Sequence, residues 1–538
     1  MFLLTSSSAG QTPSDVTTQH NDTYRTGWQQ NESLLSPSTV SQHTFGLLWQ
    51  YQVDGAVFAQ PLAYHANSDT TVGSGTTTCS GCDVVFIADE QDNVYAYEAD
   101  PSSQELLWEA SLGSDWICAA DDNPPPCGQG VIQPVMGVTS TPVIDEANKI
   151  IYVVAVENVS GTPDYYLTAL NLLTGAQLAS TQITPSSPGV SPDYTGNCET
   201  TATGSGNIVF DPTLEIQRAG LLLLPNTESG YGTVYVSFAP ADSEWRNGWL
   251  VGYQYSPGSG GGLLSQTYVL NTTPYGTGGG IWEGGGGLVA ADATVGGVTN
   301  TYIFPATGNG TFDYDTPRVN YGDTLFRLNQ DLTISDHFTP ADEFTYSGSN
   351  GTGRCPNDID LDSGGVIALP DEVPPFLTDH PHLMVAADKE AKLYVVDRDS
   401  LTGYHPSGDL IVQEIQTPLI TDYPNVRGYW SYPAYYKWTD AQGTHLALYY
   451  SVREQATDKA PLPINQYTLL STGGPIPTSF NQYDRVLLRL RGCTLGLVRR
   501  RLRTSITQET AALPARPPRM NPEPTTETSR CTPTTRPT

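Results

Sequence analysis

The sequence predicts an all-β protein, a β-propeller of four-stranded blades. Three observations carry this expectation. A loose unit of four short strands, separated by turn residues, recurs along the chain. Glycine (52), proline (41) and tyrosine (30) are abundant while charged residues make up only 15%, a mix suited to many short strands rather than long helices. The 538 residues are enough to bury a large core.

The recurring unit has a strand near Pro or Gly, an apolar strand, an alternating strand ending in a polar turn, and an outer strand. The first copy reads AQPLAY, DVVFIADE, NVYAYEAD, ELLWEASL, and the second STPVID, KIIYVVAVEN, YYLTALNLLTG, LASTQI. The third is AGLLLLP, TVYVSFAP, GWLVGYQYS, LLSQTYVL; the fourth GGGLVAADA, TYIFPATGNG, DTLFRLNQD, ISDHFTP. The fifth is GGVIALPD, HLMVAADKE, KLYVVDRDSLTG, LIVQEIQ. A sixth begins at GYWSYPAYY and HLALYYSV and then turns irregular. Four strands per repeat make a propeller blade, which cannot bury both faces alone and so packs on its neighbours. A β-sandwich is the architectural alternative. Six blades are legible, and a complete chain would be expected to have seven or eight.

Residues 1–20 are read as an N-terminal segment, a frayed terminus or the remnant of a secretory signal, although MFLLTSSSAGQ lacks a basic start and a full apolar core. Residues 21–484 are read as the propeller, incomplete at its C-terminal end. Residues 485–538 form an Arg/Pro/Thr-rich tail without blade pattern, expected to be disordered or out of frame. Of 25 basic residues, 11 are arginines from Arg485 onward; that stretch holds 3 of the 56 acidic residues, leaving 14 basic against 53 acidic groups before it. Such a surface repels nucleic acid and anionic membranes, and no stretch is long enough to span a bilayer. Six N-x-S/T sequons start at Asn21, Asn31, Asn158, Asn271, Asn309 and Asn350. Among eight cysteines, Cys79 with Cys82 and Cys118 with Cys127 are the expected disulfides of an oxidising compartment, and Cys198 with Cys355 a further option. A secreted, extracellular glycoprotein is the resulting expectation.

VYAYEADPSSQELLW resembles the pyrroloquinoline quinone (PQQ) repeat, and an ordered series across residues 240–400 resembles the quinoprotein alcohol dehydrogenases. GGGIWEGGGGLVAADA is similar to the segment that lays an aromatic floor under the quinone, and ATGNGTFDY to the Gly-Asn turn whose Asn ligates calcium. NDIDLDSGGVIAL falls where the family carries its catalytic Asp, and ADKEAKLYVVDRDSLTG resembles the strand whose Lys bonds the quinone oxygens. The wider resemblance is to uncharacterised secreted members of that superfamily.

The resemblance implies PQQ and calcium as cofactors, with Trp282 and Lys389 holding the quinone, and Glu244 and Asn309 ligating calcium. Asp242 competes with Glu244, and Glu283 is a reserve ligand. Asp360 would be the base that takes the proton of an alcohol or sugar hydroxyl, with Asp362 two residues on. Each residue has a plainer reading. Trp282 would be core or a wedge between blades, Asn309 a left-handed turn or glycan acceptor, Asp360 and Asp362 solvated turn residues or a site for a structural calcium, and Lys389 a surface charge paired with Glu390. The chain has no adjacent cysteine pair of the kind that caps the quinone in that family. The expected function is accordingly a PQQ- and calcium-dependent dehydrogenase. The alternatives are a non-catalytic propeller that binds a protein or glycan and an inactive truncated homologue.

Overall fold

The computed structural model describes residues 15–483, apart from 41–45, 119–126, 191–201, 241–245, 314–319, 344–353, 372–378, 418–425, 455–463, 470–479 and some shorter stretches. The tail and the Cys198–Cys355 option therefore lie outside the described residues.

The chain is a β-propeller. Six antiparallel sheets of blade type occur in chain order among the described residues. Blade 1 consists of Leu62–Ala66, Cys82–Ala88, Asn93–Glu98 and Leu106–Ser111. Blade 2 consists of Val143–Asp145, Ile150–Val159, Thr162–Asn171 and Gln177–Gln182. Blade 3 has Leu222–Leu224, Thr233–Pro240, Trp249–Ser256 and Leu263–Asn271; blade 4 has Val289–Val295, Val298–Phe304, Leu325–Leu328 and Ile334–Thr339. Blade 5 has Val366–Ala368, Leu383–Ala387, Lys392–Asp397 and Gln413–Gln416. Blade 6 is more regular than the sequence suggests. Val426–Tyr429 and Ala434–Asp440 share Gly443–Glu454 as partner, and Ile464–Leu469 and Phe480–Tyr483 follow in register. The apparent irregularity comes from the polar alternation of INQYTL and FNQY, which is that of outer strands.

The alternation of apolar residues packs each sheet on two neighbours. Val84 and Phe86 join Ile151 and Val153 between blades 1 and 2, while Tyr152 and Val154 join Val234 and Val236 between blades 2 and 3. Leu250 and Ile303 lie between blades 3 and 4, Phe304 and Met384 between 4 and 5, and Val385 and Leu448 between 5 and 6. The other face of blade 1, with Val85 and Ile87, is covered by Tyr51 and Val53. Disulfides join Cys79 to Cys82 and Cys118 to Cys127.

The first strand of each blade faces a common axis, and its free edge needs backbone partners. The segment from Val16 to Thr26 supplies them, visiting the blades in chain order. Val16 and Ala63 of blade 1 exchange two hydrogen bonds (2.8 and 3.0 Å), and Thr17 O accepts from Ile144 N of blade 2 at 2.8 Å. Gln19 packs on Gly220, where a Cβ would lie 2.9 Å from its side chain, just ahead of blade 3. Thr23 O then accepts from Ala290 N (2.8 Å, blade 4), Tyr24 O from Ala368 N (3.0 Å, blade 5) and Thr26 O from Tyr435 N (2.8 Å, blade 6). Fully buried Arg25 ties this turn together. Its guanidinium donates to Leu288 O (2.9 Å), Thr18 Oγ1 (2.6 Å), Gln19 O (2.8 Å) and Leu221 O (3.2 Å). The fold thus takes in the chain from at least Val16, ahead of the expected boundary at residue 21. The segment shows no strand alternation because its backbone, not its side chains, does the pairing.

Two outcomes follow. Arg25→Ala leaves four buried acceptors without a donor, and should lower stability by about 3 kcal/mol or more in guanidinium denaturation; an unchanged midpoint would contradict the hub. His20 stands edge-on to Tyr432 with ring centroids 5.3 Å apart, and burial lowers its pKa from 6.5 to about 4 against an opposing hydrogen bond to the Arg25 backbone. Between these values the unfolded chain binds the extra proton, so this group's contribution falls as pH drops from 6.5 to about 4. His20→Phe should remove that part of the pH slope, read as the difference between the two proteins' stability profiles.

Candidate functional site

The turn between the second and third strands of blade 5 is pegged by Asp388. Its Oδ1 accepts the N–H groups of Glu390 and Lys392 (both 2.9 Å), while Oδ2 takes Tyr394 Oη (3.0 Å) and two Arg354 nitrogens (both 3.1 Å). Arg354 is buried among Asp388, Asp323 and Glu343, within 3.9 Å of each. Burial lowers its pKa, but Tyr394, Asp388, Asp323 and Asp342 more than offset this, so it stays charged.

The pegged turn aims Lys389 away from Glu390. Its ammonium lies 2.7 Å from Asp358 Oδ1, pairs with Asp360 Oδ2, and stands over the Trp430 ring, 4.6 Å from the centroid. The plainer reading of Lys389 as a charge beside Glu390 is thereby replaced: within 4.0 Å it pairs with Asp358 and Asp360, and Glu390 instead approaches Lys392 at 3.8 Å. Burial lowers the Lys389 pKa, but Asp360 and Asp358 outweigh it, and the net direction is up.

The acidic stretch before blade 5 reaches two other loops. Asp360 Oδ1 accepts from Asn309 N at 2.7 Å, and Asp362 Oδ2 accepts from Trp282 N at 2.6 Å and Glu283 N at 3.2 Å. Asp362 is fully buried; burial first, then Asp360 and Glu283, pushes its carboxyl well above the ordinary range. Asn309 Nδ2 donates to Asp358 Oδ1 at 3.2 Å. Asn309 Oδ1 and Asp362 Oδ1 are both buried and without a hydrogen-bond partner. A Cβ on Gly308 would lie 2.5 Å from Asp360 Oδ1 and 3.2 Å from Asp362 Oδ1, so only glycine admits both carboxylates beside Asn309.

Trp282 is half-buried, with the Arg218 guanidinium 5.4 Å from its ring centroid. Glu283 is held in a left-handed turn (φ 48°) and is fully buried, its Oε1 accepting from Ala306 N at 2.9 Å. Burial pushes its carboxyl up to about 8. Tyr432 Oη lies 2.7 Å from Gly287 O and 3.1 Å from Glu283 Oε2. The single hydroxyl proton can serve either of these two acceptors.

The structure therefore brings together Trp282, Asn309, Asp360, Asp362 and Lys389, with Glu283 behind them. Glu244 and its competitor Asp242 lie outside the described residues. Sequence reasoning missed Asp358, Arg218, Trp430 and Tyr432. Asp358 was the most accessible, being one step earlier in the same D-x-D-x-D alternation. His380 and His382 each bond an Asp, Asp397 at 2.7 Å and Asp399 at 2.9 Å. Arg398 pairs with Asp371. The carboxylate and amide oxygens fit a hard cation such as calcium, which takes only oxygen ligands. The Trp282 ring, with the Arg218 guanidinium beside it, fits a flat anionic ring.

No family model matches the chain, and no curated protein matches it. Among solved structures, the quinohemoprotein alcohol dehydrogenase from Comamonas testosteroni aligns over 86% of this chain and 81% of its own, at 12% identity and a TM-score of 0.34. A europium-containing methanol dehydrogenase aligns over 88% and 77%, at 13% identity and a TM-score of 0.41. The Dos1 propeller aligns over 72% and 64%, at 8% identity and a TM-score of 0.32. These likenesses say nothing of the chemistry at the site.

Gly308→Ala should displace the Asp360 carboxylate and lower stability by about 1–3 kcal/mol. Urea denaturation reads the change, and a wild-type midpoint would show that the carboxylates do not crowd this glycine.

Proposed function

We propose that this chain is a secreted quinoprotein dehydrogenase that oxidises an alcohol or sugar hydroxyl with PQQ and calcium. The observation that carries the reading is the convergence of Asn309, Asp360, Asp362, Lys389 and Trp282 from separate loops, with two buried oxygens lacking donors. The two disulfides support an oxidising compartment.

Asn309 Oδ1 and Asp362 Oδ1 would hold the cation, whose charge would favour the ionised form of Asp362 over the protonated form that burial favours. Trp282 would lie along the ring, with Arg218 and Lys389 meeting its carboxylates and carbonyl oxygens. When bound, PQQ supplies the two-electron acceptor for the hydride leaving the carbinol carbon, and calcium the Lewis acid that polarises its carbonyl. Asp360 would take the hydroxyl proton as the C–H bond breaks, leaving an aldehyde or ketone. The adjacent Lys389 ammonium pairs with Asp360 Oδ2 and fixes the orientation of that carboxylate.

One observation favours a non-catalytic face that binds a protein or glycan: Lys389 is already engaged by both Asp358 and Asp360. Titrating the purified protein with PQQ and calcium, followed by absorbance and dye-linked oxidation of alcohols and sugars, separates the two. The enzyme reading expects saturable binding. It also expects Asp360→Asn to retain PQQ while turnover falls by about a hundredfold or more. Absence of saturable PQQ binding would end that reading.

A further inference from the structure

Blade 1 repeats the construction of the Lys389 turn with different chemistry. Asp89 is the peg: its Oδ1 accepts from Gln91 N (3.0 Å) and Asn93 N (3.1 Å), and its Oδ2 lies 3.2 Å from Tyr95 Oη, as Asp388 does with Glu390, Lys392 and Tyr394. Val138 N donates to Asp89 O as Tyr429 N donates to Asp388 O. Position by position, Glu90 stands where blade 5 has Lys389, and Asp92 where it has Ala391. Both Asp92 (φ 58°) and Ala391 (φ 63°) are left-handed and buried.

Alanine at this place shows that the turn needs no carboxylate. Blade 1 nevertheless buries one completely, and neither oxygen of Asp92 has a hydrogen-bond partner. Glu90, 1% exposed, accepts from Gly137 N (2.8 Å) and Thr139 Oγ1 (3.1 Å) through Oε2, while Oε1 has no partner. Both side chains close on Gly137, whose Cβ would lie 2.6 Å from Asp92 Oδ1. The charged groups bearing on Asp92 are Glu157, Asp115, Glu90 and Asp89, all acidic. Glu157 folds over Gly113, where a Cβ would sit 2.5 Å from its Oε2. A left-handed φ favours Asp over Ala modestly, but does not account for a buried carboxylate without donors, which costs several kcal/mol unless paired.

We infer that Asp92 and Glu90, which meet at Gly137, form a second binding site for a divalent cation of calcium type, between blades 1 and 2. Two donor-free oxygens on Asp92 and one on Glu90 give a hard cation its all-oxygen start, and the acids that bear on Asp92 add negative field from outside the ligand set. Burial and the surrounding acids otherwise push Asp92 up to about 9. The site stands apart from Asp360 and Asp362, whose contacts lie in blades 4 and 5, and does not depend on the function proposed for them.

Equilibrium dialysis of the full chain against calcium, with bound metal measured by atomic emission, tests the assignment. Asp92→Ala copies the blade 5 turn and should retain the fold, checked by circular dichroism, while losing one bound calcium per chain. The same loss should appear in an Asp362→Asn background. Glu90→Gln keeps the side chain's shape and should weaken calcium binding here by about tenfold or more, giving the same readout should Asp92→Ala fail to fold. Equal calcium content and affinity in wild type and variants would overturn the inference.

Discussion

The fold depends on satisfying the free edges of the inner strands. A propeller blade pairs its strands outward from the axis, so the first strand of every blade leaves N–H and C=O groups pointing inward. Here one short segment answers that need in sequence, from Val16 at blade 1 to Thr26 at blade 6. Arg25 makes the arrangement rigid, because a single guanidinium bridges the segment's own Thr18 and Gln19 to Leu221 and Leu288, which lead into blades 3 and 4.

That axial arrangement also fixes the back of the candidate site. His20 of the segment meets the Tyr432 ring, Tyr432 reaches Glu283, and the backbone of Glu283 and Trp282 holds Asp362. The front is set independently by the Asp388 peg, which aims Lys389 at Asp358 and Asp360. Two rigid supports therefore position groups that differ by a hundred residues in sequence. Buried Glu283 has both oxygens engaged, by Ala306 N and Tyr432 Oη, whereas Asn309 Oδ1 and Asp362 Oδ1 have no donor. Hydrogen bonding thus separates the supporting carboxyl from the oxygens free to take a ligand.

The strands were legible because apolar runs such as DVVFIA and KLYVVD, bounded by turn residues, have few other solutions in a chain so poor in charged residues. The blade 6 outer strands were not, since their polar alternation lacks an apolar run. The axial segment was invisible for a related reason: TTQHNDTYRTG contributes mainly backbone, and no side-chain pattern announces that. At the site, Asn309, Asp360, Asp362 and Lys389 could be picked out because each sits in a short motif at a strand end. Arg218, Trp430 and Tyr432 lie in connections whose approach to those motifs is set by blade packing alone. The shared peg of Asp89 and Asp388 was written in ADEQDN and ADKEAK, but only the geometry shows that Asp92 and Ala391 occupy the same place.

The central claim is that the loops of blades 4 and 5 create a pocket of oxygens awaiting a cation. An anomalous difference map from crystals soaked in a lanthanide salt tests it most directly. The account predicts a peak within bonding reach of Asn309 Oδ1, Asp362 Oδ1 and the Asp360 carboxylate. A map without that peak, showing the same oxygens capped by ordered protein donors, would contradict it.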